Sequence, residues 1–217
     1  MDSSAAAWDE RYAGADRVWS ATPNRWVAEI VPSLLPGRAL DMAAGEGRNA
    51  VWLAEQLWQV DATDFSRVAV DRIRDWAGER ADTVEGRLHA WVADATAPAL
   101  PAERAAYDLV VQCYLHLPPQ AWATAVRGAV DRTCPGGSTL VIGHAGRNLR
   151  HGVGGPQDPD VLFDPADVRA LAEELPVDVE ICELREREVP GADRPALDTV
   201  ALLTRSAALT PSARQVT

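Results

Sequence analysis

The chain has 217 residues, 47% of them hydrophobic and 24% charged, a balance that fits one folded globular domain rather than a disordered or fibrous polypeptide. Its formal net charge of −11 gives a field that repels phosphate backbones, which argues against nonspecific nucleic-acid binding. Three cysteines, Cys113, Cys134 and Cys182, are too scattered for a disulfide framework or a zinc site, so reduced buried thiols and no metal are expected. The start, Met1-Asp2-Ser3-Ser4, has neither the cationic nor the apolar part of a signal peptide, and no apolar run reaches membrane-spanning length. A cytoplasmic protein acting on a small molecule is the resulting expectation.

From Trp8 to about Leu35 the pattern is helical, interrupted at Pro23-Asn24 and ended by Pro32 and Pro36. A first strand is predicted over Ala39 to Met42, followed by a helix from about Gly47 to Leu57 whose Ala50, Leu53, Ala54 and Leu57 form one buried stripe. A second strand, Val60 to Asp64, leads to Ser66 as the cap of a helix carrying Val70, Ile73 and Ala77. Leu88 to Ala93 reads as a third strand closing on Asp94-Ala95. The apolar run through Tyr107 to Cys113 reads as a central strand covered on both faces.

Pro118-Pro119 opens a helix striped by Trp122, Val126 and Val130, and Gly136-Gly137 precedes a fifth strand ending at His144. The stretch from Ala145 to about Phe163 is rich in glycine and proline, and its length suggests a functional loop or lid. A helix from about Pro165 leads to strands at Val177 to Leu184 and Leu197 to Thr204. The tail, 206–217, lacks an apolar pattern and is expected to be disordered, leaving 1–205 as a single domain.

Strand and helix alternation through two thirds of the chain argues for a doubly wound α/β sheet, with the final strands pairing antiparallel. Ligands bind such sheets at the carboxyl ends of strands near the topological switch point, where Asp41, Asp64, Asp94 and Gln112 are predicted to fall. The segment Leu40-Asp41-Met42-Ala43-Ala44-Gly45-Glu46-Gly47-Arg48-Asn49 joins a strand, a small-residue turn and a helix. Small residues let a ligand approach the backbone, and the amides opening the helix suit an anionic group. Asp64 has acceptors for both hydroxyls of a ribose diol.

Two ligand classes fit this pattern. Gly45-x-Gly47-x-x-Ala50 with Asp64 matches a relaxed dinucleotide fingerprint, which would make the protein an NAD(P)-dependent enzyme. Asp41, however, would face a pyrophosphate unfavourably and would suit an ammonium group. S-adenosylmethionine presents an ammonium, a carboxylate and a ribose without any phosphate. Each aspartate alone has the simpler reading of a helix cap.

The chain resembles the class I S-adenosylmethionine-dependent methyltransferases, and within them the small bacterial group related to tellurite-resistance and thiopurine S-methyltransferases. The residues that carry the resemblance are Trp8-Asp9-Glu10-Arg11-Tyr12, Val18-Trp19-Ser20, Pro23-Asn24, Asp41 to Asn49, and Asp64-Phe65-Ser66. It implies a Rossmann-like, seven-stranded mixed sheet with the last strand antiparallel and helices on both faces. It also implies methyl transfer from S-adenosylmethionine, with S-adenosylhomocysteine as product, to a small-molecule acceptor, in a monomer or homodimer.

By the same resemblance Asp41 and the turn through Ala43, Gly45 and Gly47, with Asn49, hold the methionine end. Asp64 holds the ribose, Phe65 and Ala95 flank the adenine, Asp94 receives its amino group, and Gln112 lies beside the sulfonium. Tyr12 and Trp19 are aromatic candidates for the cofactor, with core packing as the plain alternative. The family usually has glycine where Ala43 stands and often cysteine where Ala44 stands; alanine disfavours positive φ. That departure raises a non-catalytic cofactor-binding module as an alternative to an enzyme.

His116 and His144 follow the fourth and fifth strands and are candidates for a catalytic base, or for a locally bonded structural role. Arg147, Arg150 and His151 could hold an anionic substrate; solvent exposure is the simpler reading.

Overall fold

A computed structural model describes residues 4–15, 17–84, 86–97 and 106–207. Seven strands form one sheet in the order β3-β2-β1-β4-β5-β7-β6: β1 Arg38–Met42, β2 Gln59–Asp64, β3 Leu88–Val92, β4 Tyr107–Cys113, β5 Thr133–His144, β6 Val177–Arg187 and β7 Ala196–Arg205. β1 to β5 run parallel, and β7 enters antiparallel between β5 and β6. This is the seven-stranded mixed sheet expected from the sequence. The chain winds outward from β1 to β3 and then returns to the other side of β1 as β4, so the switch point lies between β1 and β4.

Central strands are buried on both sides and therefore carry apolar residues on both, as Leu40, Met42, Leu109, Val110 and Val111 do at 0% exposure. Among the described residues eight helices cover the faces: α1 Ala5–Ala13, α2 Arg25–Ile30, α3 Arg48–Glu55, α4 Arg67–Glu79, α5 Ala81–Val84, α6 Pro119–Arg132, α7 Asn148–His151 and α8 Pro165–Ala172. On one face Trp26 and Val27 of α2, Leu53 of α3 and Ile73 of α4 pack on Ala39, Val111, Ile142 and Val200. On the other, Ala125 and Ala129 of α6 meet Leu40, Met42 and Val110, and α8 packs Val168 and Leu171 near Val141 and Ala201.

Local chemistry accounts for several boundaries. Asn24 caps α2 by accepting from the amides of Trp26 and Val27, and Ser66 caps α4 by accepting from Ala69 at 3.1 Å. The predicted stripe Trp122, Val126, Val130 is buried on α6. The helix after the first turn stops at Glu55, short of the predicted Leu57. Leu57 takes φ 70° and is 66% exposed, so it forms the left-handed exit of α3 and the core position passes to Trp58.

β5 begins at Thr133, before the glycine pair that was expected to precede it. The three cysteines are free as expected, but only Cys182 is buried; Cys113 and Cys134 are half-buried. The glycine-rich stretch contains α7 and a short 3-10 turn, Pro159–Val161. Its buried Asn148 accepts from Leu197 N–H and donates to Gly154, tying the loop to β7. Of the tail expected to be disordered, 208–217 lie outside the described residues. No helix among the described residues is long and apolar enough to cross a membrane.

Candidate active site

β1 ends in Asp41-Met42 and breaks into a turn in which Ala43, Gly45 and Gly47 take φ of 55°, 57° and 85°. Three left-handed residues at alternate positions fold the chain tightly enough to aim the amides opening α3 at the strand end. Gly47 must be glycine for a second reason, because a Cβ there would lie 2.7 Å from Cγ1 of Ile73. Asp64, at the end of β2, secures the turn: its carboxylate accepts from Gly45 N–H at 2.8 Å and from Ser66 N–H at 2.9 Å. Burial drives its pKa up to about 6, against the pull of those two amides.

Asp41 is 1% exposed, and neither carboxylate oxygen has a hydrogen-bond partner of good geometry among the described residues. Burial lifts its pKa from 3.8 to about 7, with the Arg48 charge and the Ala50 amide acting the other way. A buried, partnerless carboxylate is costly unless a ligand supplies the missing donors. Because side chains alternate along a strand, Asp41 lies on the sheet face of Ala39, the face that also carries Asp64 with Ala62 and Val60.

The N-terminal segment is fastened over this turn. Glu46 accepts from the amides of Val18 and Trp19, each at 2.9 Å, through Oε2 and pairs with Arg72 through Oε1. Trp19 Nε1–H donates to Tyr12 Oη at 3.3 Å, and a Cβ on Gly45 would stand 3.1 Å from that oxygen. Tyr12 and Trp19 thus roof the glycine. Asp9 extends the brace by accepting from Ser66 Oγ and from Val68 N–H. Asn49 is a fastener too: its Oδ1 accepts from Asn24 N–H at 2.8 Å.

A second cluster lies at the ends of β4, β5 and β7, on the same face as Asp41. His144 and Asp198 are direct cross-strand partners, and Nδ1 of His144 lies 3.2 Å from Oδ1 of Asp198. Oδ2 of Asp198 accepts from Trp26 Nε1–H at 2.9 Å, Tyr114 Oη–H at 2.9 Å and Arg187 Nε–H at 2.8 Å. Burial alone would raise the Asp198 pKa, yet the contacts of His144, Arg187 and Trp26 hold it at about 2. Tyr114 stacks on His144 with ring centroids 4.9 Å apart, and His116 stacks at 5.4 Å. Tyr114 takes φ 60°, so left-handed residues follow both strands that flank the switch point.

The predicted residues outside the His116 and His144 cluster fall into four groups. Asp41, Ala43, Gly45, Gly47, Asp64, Tyr12 and Trp19 come together at the turn, with Asn49 beneath it as a brace. Phe65 is half-buried at the start of α4, while Asp94 is exposed and closes a small turn by accepting from Thr96 N–H; Ala95 is buried against Leu40 and Met42. Gln112, expected beside a sulfonium, points to the opposite face. Its Nε2–H donates to the Ala125 carbonyl of α6 at 2.8 Å. Arg147, Arg150 and His151 are exposed. Asp198, Glu46 and Arg187 were not anticipated.

Residues 39–137 match the family model described as "Methyltransferase domain". That stretch, just under half of the chain, is similar to a methyltransferase domain. The match spans β1 through the start of β5 and so contains the turn, Asp41, Asp64 and Gln112. Among solved structures, one concerned with conversion of a disulfide bond into a thioacetal group during echinomycin biosynthesis is 19% identical. It covers 95% of this chain and 94% of its own, with a TM-score of 0.69.

TehB from Haemophilus influenzae is 14% identical, with a TM-score of 0.67 over 92% of this chain and 67% of its own. Magnesium protoporphyrin IX methyltransferase from Synechocystis PCC 6803 with bound SAM is 16% identical, with a TM-score of 0.65 over 94% of this chain and 92% of its own. Comparison with curated protein sequences finds no match. The sheet has the class I methyltransferase fold, a likeness that extends over 92–95% of the chain. Tyr12, Trp19, Trp26, His144 and Asp198 lie outside the stretch that the domain model matches.

Proposed function

We propose that the protein transfers the methyl group of S-adenosylmethionine to a small-molecule acceptor, with Asp41 and Asp64 as the two anchors of the cofactor. The observation that carries this reading is the pair of unpartnered Asp41 oxygens, 1% exposed, on the same sheet face as Asp64 and beside a left-handed turn. A pyrophosphate would add negative charge to a buried carboxylate, whereas an ammonium supplies the donors that Asp41 lacks. The cofactor fits the residues present. Asp41 and the amides of the turn would receive its aminoacyl end, and Asp64 keeps free lone pairs for ribose hydroxyls beyond its bonds to Gly45 and Ser66. Phe65, Asp94 and Ala95 are the proposed adenine contacts, and Tyr12 and Trp19 the roof.

When bound, S-adenosylmethionine supplies an electrophilic methyl on a sulfonium. What the protein adds is alignment and exclusion of water. Asp41 fixes one end of the ligand and Asp64 the other, and the fastened N-terminal segment closes the cofactor side. The cluster of Tyr114, His116 and His144 lies one to two strands from β1, about 5–10 Å across the sheet, which is where an acceptor would meet the methyl group. A monomer or homodimer in the cytoplasm is part of this proposal, and the net charge of −11 disfavours nucleic-acid partners.

Calorimetry with S-adenosylhomocysteine tests the reading. Binding in the micromolar range is expected, and absence of binding at millimolar ligand, or tight binding of NADH in its place, would refute it.

A further inference from the structure

Resting on the methyltransferase reading, the chemistry of the acceptor follows from two atoms that otherwise lack partners. Nδ1 of His144 and Oδ1 of Asp198 are both fully buried, neither has a hydrogen-bond partner of good geometry among the described residues, and they lie within ion-pair distance, 3.2 Å apart. The three donors Trp26, Tyr114 and Arg187 all converge on the other carboxylate oxygen, Oδ2. Oδ1 is thereby left to His144 alone. A carboxylate can only accept, so the proton of the neutral imidazole belongs on Nδ1 and its lone pair on Nε2.

The second histidine is arranged differently. Nε2 of His116 accepts from the backbone N–H of His144 at 3.2 Å, which consumes its lone pair. Burial and the neighbouring His144 also push its pKa down to about 3. His116 therefore packs and orients. His144 Nε2 faces the glycine-rich loop, where a Cβ on Gly155, at φ 78°, would lie 2.9 Å from it and 2.5 Å from Cδ2. Gly155 thus packs against the Cγ–Cδ2–Nε2 edge of the ring, with no room there for a side chain. The titratable and charged groups around His144 are Tyr114 and His116 after β4, Asp198 on β7, Arg187 on β6, and Arg48 of α3 over the Tyr114 ring.

A thiol ionises near neutral pH, and an oxyanion such as tellurite already carries its charge, so neither needs a positioned base. A hydroxyl, with a pKa of about 10 or more, does. We propose that His144 is the general base of the transfer, positioned by Asp198, and that the acceptor is therefore a hydroxyl compound. The hydroxyl proton passes to Nε2 of His144 as the oxygen lone pair forms the bond to the methyl carbon. The carbon–sulfur pair stays on sulfur, and the products are a methyl ether, S-adenosylhomocysteine and a proton that His144 returns to solvent. Asp198 remains ionised and faces the imidazolium, stabilising it.

The test uses the full chain with two readouts. Nitrogen-15 NMR of histidine-labelled protein should show His144 as the Nδ1–H tautomer, and Asp198→Asn should shift it toward Nε2–H, with Asp198→Glu restoring the original. With S-adenosylmethionine and a panel of phenols, with thiophenol as comparison, wild type should methylate phenols. His144→Gln should lower kcat on the phenols by 100-fold or more and leave S-adenosylhomocysteine affinity within about threefold.

An Nε2–H tautomer in wild type, or full phenol activity in His144→Gln, overturns the proposal. So does transfer to thiophenol alone, or to neither class, by protein that binds S-adenosylhomocysteine; in that case cofactor binding itself stands. Failure to bind S-adenosylhomocysteine at all would instead overturn the methyltransferase reading and this proposal with it.

Discussion

Replacing Asp41 by asparagine should make the unliganded protein more stable and its cofactor complex weaker. Asp41 is buried, without a good donor, and its pKa in the folded chain is about 7 against an ordinary 3.8. In that window the folded state keeps a proton that the unfolded state has lost, so stability falls as pH rises from about 4 and levels off above about 7. At about 1.4 kcal/mol per unit, roughly three units correspond to about 4 kcal/mol in full, reached only above pH 7. Asparagine has no charge to bury but leaves its own amide short of partners, a cost of about 1–3 kcal/mol that applies at every pH.

The difference between Asp41→Asn and wild type should therefore move toward the variant by about 3–4 kcal/mol between pH 4 and pH 8. Urea denaturation of both proteins at those two pH values measures it. Cofactor binding should respond with the opposite sign, since an ammonium needs the ionised carboxylate. Wild-type affinity for S-adenosylhomocysteine should rise with pH up to about 7 with uptake of the ligand accompanied by proton release, visible by calorimetry in buffers of different ionisation enthalpy. The variant should lose about 1.5–3 kcal/mol of affinity along with that pH dependence. A stability difference that is the same at both pH values, or wild-type affinity in the variant, would refute the reasoning.

Three further substitutions probe the turn and its fastening. Ala43→Gly removes a left-handed alanine at φ 55° that costs about 1–2 kcal/mol, less about 0.4–1 kcal/mol for the more flexible unfolded chain. A thermal melt should rise by a few degrees. Gly47→Ala should lower stability by about 2–3 kcal/mol in denaturant titration, because its Cβ meets Ile73 at 2.7 Å and its φ is 85°; a variant as stable as wild type would contradict the geometry. Glu46→Gln should loosen the N-terminal segment by about 1–2 kcal/mol, read as roughly tenfold faster hydrogen exchange at Val18 and Trp19, whose amides Glu46 receives.

What the sequence disclosed depended on how far apart the determining residues lie. The strand, turn and helix from Arg38 to Glu55 are set by neighbouring residues: apolar alternation, small residues at the bend, and a stripe of Ala50, Leu53 and Ala54. Leu57 misled because it continues that stripe in spacing while the chain has already turned left-handed, at a position more often held by glycine. Gln112 misled for another reason. β4 is buried on both faces, so no polar alternation marks its phase, and a one-residue difference sends a side chain to α6 instead of the site.

Asp198 shows where local reading ends. Nothing around Leu197-Asp198-Thr199 marks an active residue, and its meaning arises only once β7 is inserted antiparallel beside β5, which sets it against His144. Its donors come from positions 172 and 84 residues away in sequence, Trp26 and Tyr114. A charge at 0% exposure survives there because Arg187, Tyr114 and Trp26 satisfy one oxygen. The same arrangement leaves the second oxygen to a single histidine. One face of the sheet thus holds two buried carboxylates of opposite design: Asp41, starved of donors and raised to about 7, and Asp198, supplied with donors and held at about 2. Under the proposed function the first is completed by a ligand's ammonium group, and the second keeps its charge beside His144.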